Sequence, residues 1–359
     1  MNHRFTFFLL LLTVLAGCNS NPKIVFSTEE GNFNSGWEFV KDPSGEISAE
    51  LFQKSVGKTS EWQKVSLPHT ANIEAVDSPD KQWQGIARYR KFFTVPEQFS
   101  KKSVSLNFGA AMQVARIFLN GELIQTHEGG YLPFQVKLDG KVKFGKENCI
   151  LVELDNRDNP AIPPGKPLAT LDFNYYSGLY RNVTIEVKDK LHISDPVAAN
   201  RVAGGGLLVT YSNVTAQSAN IHIQVDVENE NQMEKPASLK ISLTDHSGQT
   251  VLSEEVASEN IPASGYFQFK NQWSVQHPKL WSPDSPDLYL LKVTVLSDKM
   301  PVDSLNEKIG IRTFTFSAKD GFVLNGQKLK LRGTNRHQEY PYIGNALSDN
   351  AQYRDAFKI

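Results

Sequence analysis

The sequence predicts a mainly β chain, and three observations predict it. Apolar and polar residues alternate with period two, Asn-Gly pairs sit between apolar runs, and helical periodicity is essentially absent before residue 348. Between 221 and 228, for example, Ile221, Ile223, Val225 and Val227 alternate with His222, Gln224, Asp226 and Glu228, as a strand with one buried face requires. The 359 residues are 40% hydrophobic, which suffices for packed cores in two or three domains. With 38 basic and 39 acidic residues and no clustered Lys/Arg stripe, the chain offers nucleic acid no phosphate-binding surface.

In chain order, residues 1–18 read as a leader and not as part of a fold. Arg4 precedes an apolar run from Phe5 to Leu15, shorter than the roughly 20 residues that span a bilayer. Leu15-Ala16-Gly17-Cys18 then resembles a bacterial lipobox, in which the cysteine is acylated and becomes the mature N-terminus. Asn19-Ser20 lacks the Asp that favours inner-membrane retention, so the expected location is the cell envelope, lipid-anchored in the outer membrane and facing the periplasm. The other cysteine, Cys149, falls in the apolar run from Asn148 to Leu154 and is expected to be a buried, inert thiol without a disulfide.

Residues 19–192 form the first predicted domain. Ala115 to Leu119 runs into Asn120-Gly121 and out through Leu123-Ile124, a type I′ hairpin signal. The segment is larger than an immunoglobulin-like sandwich and suits a jelly roll. Residues 193–314 carry the 221–228 alternation and its repeat at Leu239 to Leu243, and have the length of such a sandwich. A second Asn-Gly turn, Asn325-Gly326, follows between Phe322-Val323-Leu324 and Lys328 to Leu331. Ser348-Asp349 can cap a helix on which Tyr353, Ala356 and Phe357 fall at i, i+3 and i+4.

Several motifs now combine. Trp62-Gln63-Lys64-Val65-Ser66-Leu67-Pro68-His69-Thr70 is followed by Ala87-Arg88-Tyr89-Arg90-Lys91-Phe92-Phe93, Phe118-Leu119-Asn120-Gly121 and His127-Glu128-Gly129-Gly130-Tyr131-Leu132-Pro133-Phe134. Ser177-Gly178-Leu179-Tyr180-Arg181, Gly310-Ile311-Arg312-Thr313-Phe314 and Leu331-Arg332-Gly333-Thr334-Asn335-Arg336-His337-Gln338 complete the series. In this order, across residues 36–359, they resemble family 2 glycoside hydrolases of β-galactosidase type. The resemblance implies a jelly-roll sugar-binding-like domain, an immunoglobulin-like sandwich, and, in 315–359, the first βα unit of a TIM barrel. Residues 321–331 would plug the barrel base, Lys330–Thr334 would be its first strand, and the helix from Ser348 its first helix. A whole barrel takes about 250 residues, so the expectation is a chain truncated early in its catalytic domain.

Hydrolysis with retention needs two carboxyl groups about 5–5.5 Å apart across the scissile bond. The resemblance places both glutamates on later barrel strands, so no catalytic residue is expected here and the isolated chain is expected to be inactive. Asn229-Glu230 and Asn306-Glu307 precede the barrel, and Glu228-Asn229-Glu230-Asn231-Gln232 reads as a solvated turn. Two positions map to the family's sugar contacts. Asp172 stands where related β-galactosidases carry an aspartate reaching a substrate hydroxyl and, in some members, a sodium ion; an Asp in a Pro-rich loop is also a common turn former. His337 follows the segment that the resemblance makes the first barrel strand, where catalytic groups gather in this fold. No cofactor is expected in this chain, though the resemblance allows a sodium or magnesium ion in the complete enzyme. Scattered His69, His127 and His192 show no metal-ligand spacing, and His69 and the five Trp read as packing groups. The partner is then a carbohydrate, a terminal β-galactoside or related glycan, with membrane contact only through Cys18. A non-catalytic carbohydrate-binding lipoprotein is the alternative of another class; β-glucuronidase and β-mannosidase are alternatives within the family.

Overall fold

The computed structural model describes residues 31–43, 46–53, 62–73, 82–174 and 176–359. The segment read as a leader, with Cys18, lies outside the described residues. Among these, ten strands build the first unit: β1 (Gly31–Asn32), β2 (Trp37–Lys41), β3 (Gln63–Val65), β4 (Ile86–Thr94), β5 (Ser103–Phe108), β6 (Val114–Leu119), β7 (Glu122–Glu128), β8 (Phe134–Lys137), β9 (Glu147–Asp155) and β10 (Val183–Lys188). They form a six-stranded sheet in the order β3-β2-β4-β9-β6-β7 and a four-stranded sheet in the order β1-β10-β5-β8. The two sheets share one core, to which Trp37, Tyr89, Ile117 and Val152 come from one sheet and Leu106 and Ile185 from the other. This is the jelly-roll-like double sheet. Its β6–β7 hairpin turns at Asn120 (φ 54) and Gly121 (φ 96), the two positive φ angles that a type I′ turn requires. Cys149 is buried on β9 and takes part in no disulfide among the described residues.

Eight further strands form a second pair of sheets: β11 (Leu191–Ile193), β12 (Leu207–Ser212), β13 (Ser218–Asn229), β14 (Lys235–Thr244), β15 (Thr250–Ile261), β16 (Gly265–Gln276), β17 (Tyr289–Ser297) and β18 (Met300–Ile309). β13 pairs with β12 and β11 along successive parts of its length and with β16 throughout, while β15-β14-β17-β18 make the facing sheet. The alternation read at 221–228 is the buried face of β13, and it packs against Leu239, Ile241, Leu291 and Val293. Both sheets are antiparallel, as an immunoglobulin-like sandwich demands. The jelly-roll core reaches Val187 and the sandwich core begins at Leu191, so a handful of residues separate the two.

A small meander follows, β19 (Phe314–Ser317), β20 (Gly321–Leu324) and β21 (Gln327–Lys328), turning at Asn325 and Gly326, both with positive φ. The predicted helix is present as α1 (Asp349–Lys358), and the Ser348 hydroxyl caps it by accepting from the Ala351 N–H at 3.3 Å. The predicted strand Lys330–Thr334 is not: these residues are largely exposed and pair with no strand. A barrel strand gains its hydrogen bonds from lateral neighbours, and the described residues supply none, so the segment is in no sheet. They form no closed parallel barrel.

Candidate functional site

Three loops converge where the jelly roll meets the segment before α1. The first, residues 66–73, leaves β3 with the Leu-Pro-His-Thr motif. The second, 171–181, leads into β10 and carries Asp172. Backbone bonds lock these two together, His69 N–H to Leu179 C=O at 2.8 Å and Ala71 N–H to Ser177 C=O at 2.7 Å. Gly178 is required at this crossing. Its φ is +142°, and a Cβ there would stand 2.3 Å from the His69 carbonyl oxygen. The His69 ring packs against Phe39 and Tyr89 and its Nδ1 lies 2.8 Å from the Tyr89 hydroxyl. Burial holds this imidazole well below its ordinary range, at about 4, so His69 is neutral and structural, as its packing role predicts.

The third loop, 336–347, docks on the first two. Thr70 Oγ1 donates to the Ile343 carbonyl at 2.7 Å and accepts from the Ala346 N–H at 3.2 Å. Gly344 fits against the Thr70 methyl and the Tyr176 ring; a Cβ on it would be 2.8 Å from Thr70 Cγ2. Farther out, Asn182 Nδ2 donates to Asp349 Oδ2 at 3.0 Å. Arg336 ties this loop to α1, with its Nε 2.8 Å from Asp355 Oδ2 and its Nη1 2.8 Å from Gln352 Oε1. The resulting cleft, about 480 Å³, is lined by Pro68, Pro133, Tyr180, Arg181, Asn182, Gln338, Asn345, Asp349 and Gln352 among others.

His337 stands at the start of this loop with about half of its side chain exposed (52%) and its Nδ1 3.8 Å from Glu339 Oε1. Asp172 is exposed in a bend of the second loop. The two loops meet through Tyr176 and Gly344, and no hydrogen bond joins Asp172 to His337 among the described residues. Thr70 and Gly344 were not singled out by sequence reasoning. Their signal was present in the Leu-Pro-His-Thr motif, but a contact spanning residues 70 and 343 has no local trace. The lining includes one carboxylate, Asp349, already engaged by Asn182, so the cleft can bind and orient hydroxyl groups but offers no facing acid pair.

One cluster departs from the sequence reading. Glu228, Asn229 and Glu230 do not form a solvated turn. Glu228 and Asn229 end β13, and Asn229 is buried, donating to the Met233 and Ile261 carbonyls at 2.9 and 3.0 Å. Register places His192 of β11 opposite Glu228, and the ligand atoms of His192, Glu228 and Glu230 lie within 4.8 Å of one another. Pairing between separate strands made this group, which is why spacing along the chain did not show it. Lys137 of the jelly roll pairs with both glutamates, at 3.2 Å from Glu228, so their negative charge is met by an ammonium. Asp172 belongs to no group of three His, Cys, Asp or Glu side chains with closely gathered ligand atoms among the described residues.

Residues 44–188 match the family model "Glycosyl hydrolases family 2, sugar binding domain", and residues 206–312 match "Glycosyl hydrolases family 2". A β-galactosidase of Thermoanaerobacter pseudethanolicus is 29% identical over 90% of this chain and 41% of its own length. A β-glucuronidase of Formosa agariphila is 27% identical over 94% of the chain and 36% of its own length. Among solved structures, Bacteroides uniformis β-glucuronidase 2, covalently bound to cyclophellitol-6-carboxylate aziridine, superimposes with a TM-score of 0.80 at 28% identity, over 92% of this chain and 38% of that one. The chain thus spans about two fifths of the length of these relatives.

Proposed function

We propose, from the premise that the chain belongs to glycosyl hydrolase family 2, that it serves β-galactosidase-like hydrolysis of terminal β-linked sugars with retention. The observation that carries this is the convergence of the Asp172 and His337 loops on a jelly roll that matches the family's sugar-binding domain. In this reading the described residues bind and orient the sugar, and the bond-breaking carboxyl pair lies elsewhere.

Asp172 is suited to accept hydrogen bonds from two sugar hydroxyls, which distinguishes epimers by where their donors point. His337 can donate or accept at a hydroxyl beside the leaving group, and its exposure leaves it open to do so. Acylation at Cys18 would hold the domains at the outer membrane, facing periplasmic glycans. β-Glucuronidases among the relatives make a uronic acid substrate the second reading.

The test uses the protein as its gene encodes it, purified and offered nitrophenyl β-galactoside and β-glucuronide, with the anomeric proton of the first-formed sugar followed by NMR. The expected result is turnover of the galactoside with the β-anomer appearing first. Turnover of the glucuronide alone would favour the second reading. Saturable sugar binding without cleavage of either would replace both with a carbohydrate-binding role.

A further inference from the structure

We propose that Thr70 is a positioning residue: from the jelly roll it clamps the 343–346 turn and so sets where His337 stands relative to the Asp172 loop. This rests on the reading of His337 and Asp172 as sugar contacts and adds a residue to that site.

Thr70 is itself rigidly held. Its neighbours on both sides, His69 and Ala71, bond through their backbone N–H groups to the Asp172-bearing loop at Leu179 and Ser177. Its hydroxyl then spans the turn, donating to Ile343 and accepting from Ala346, while its methyl abuts Gly344. Threonine is only 5% exposed here, so both bonds are shielded from competing water. A Cβ on the same glycine would also stand 3.3 Å from the ring of Tyr176, whose hydroxyl accepts from Asn174 Nδ2 at 3.1 Å, two residues from Asp172. A shift of the turn therefore moves His337 against Asp172. A further link across this junction, Asn182 to Asp349, is solvent-exposed and a weaker tether.

A hydroxyl is the part that matters. Thr70→Val keeps the shape and removes donor and acceptor together, whereas Thr70→Ser keeps both. Misplacing a substrate-orienting group by an ångström costs on the order of a hundredfold in rate. In the protein as its gene encodes it, Thr70→Val is expected to lower kcat/KM for nitrophenyl β-galactoside by about 10- to 100-fold. The loss should be carried mainly by a raised KM, because sugar contacts act before and in the transition state. Thr70→Ser should stay within about threefold of wild type on the same argument. Amide exchange at Gly344 and Ala346 should accelerate in the valine variant and not in the serine one.

Should the valine variant fail to fold, Gly344→Ala probes the clamp from the other side, since its Cβ must push the turn off Thr70. Equal KM in wild type, Thr70→Val and Gly344→Ala would overturn the proposal, as would wild-type exchange at Ala346 in either variant. A wild-type protein that cleaves no glycoside would instead sink the functional reading, and the exchange data would still decide whether the clamp exists.

Discussion

Replacing Glu228 by Gln should make the buried imidazole of His192 easier to deprotonate. His192 is buried, its Nδ1 donates to the Asp189 carbonyl at 2.7 Å, and its Nε2 lies 2.9 Å from Glu228 Oε1. Burial alone would lower the imidazole, but the hydrogen bond and charge of Glu228, with Glu230 behind it, outweigh burial and raise it above 6.5. Lys188 opposes this, and Lys137 and Asp303 complete the charged surroundings. Glu228 answers in kind: burial raises it, yet His192 and Lys137 together bring it down to about 2.

The signs define a window. The raised His192 stabilises the fold fully below pH 6.5 and loses that contribution as pH climbs through its folded value. The lowered Glu228 stabilises it above pH 4.5 and loses that contribution as pH falls toward about 2. Converting the glutamate's shift gives about 3 kcal/mol; because the group is partly exposed, solvent screening reduces this to about 1–2 kcal/mol. Glu228→Gln should therefore cost about 1–2 kcal/mol in urea unfolding at pH 6 and little at pH 2. In parallel, the Cε1–H resonance of His192 should titrate above 6.5 in wild type and below 6.5 in the variant. A wild-type midpoint at or below 6.5, or one that Glu228→Gln leaves in place, would refute this reasoning.

Two further outcomes are expected, one from the structure and one from the lipid-anchor proposal. On adjacent strands Arg88, Glu153 and Arg116 stand in register, and Glu153 accepts from both arginines at 2.8 Å. Arg88 is buried and Arg116 half exposed, so Glu153→Ala should cost about 3–5 kcal/mol and Arg116→Ala under about 1 kcal/mol; comparable losses in thermal unfolding would contradict this account. Cys18→Ala should abolish incorporation of labelled palmitate and release the protein from the membrane fraction, and labelling that persists would remove the lipid-anchor proposal.

Much of the fold was legible because its signals are local. The Asn120-Gly121 and Asn325-Gly326 turns need only their own φ angles, the buried face of β13 needs only alternation, and Ser348 caps a helix it adjoins. What could not be read is what depends on register between distant residues. His192 and Glu228 meet because β11 lies beside β13, and Thr70 meets Ile343 across most of the chain. Lys330–Thr334 failed as a strand for the same reason in reverse: its residues suit one, but a strand is completed by neighbours. His337 was visible as part of a motif, while its exposure and the loop that holds it were not.

We propose that these residues position a sugar which carboxylates elsewhere in the protein cleave, and one measurement tests this most directly. A retaining enzyme passes through a covalent glycosyl intermediate, and a 2-deoxy-2-fluoro-β-galactoside with a good leaving group traps it on the nucleophile. Mapping the adduct by peptide mass spectrometry should place it on a glutamate outside residues 1–359. An adduct on Glu228, Glu230, Glu307 or any other carboxylate of this chain would contradict the account.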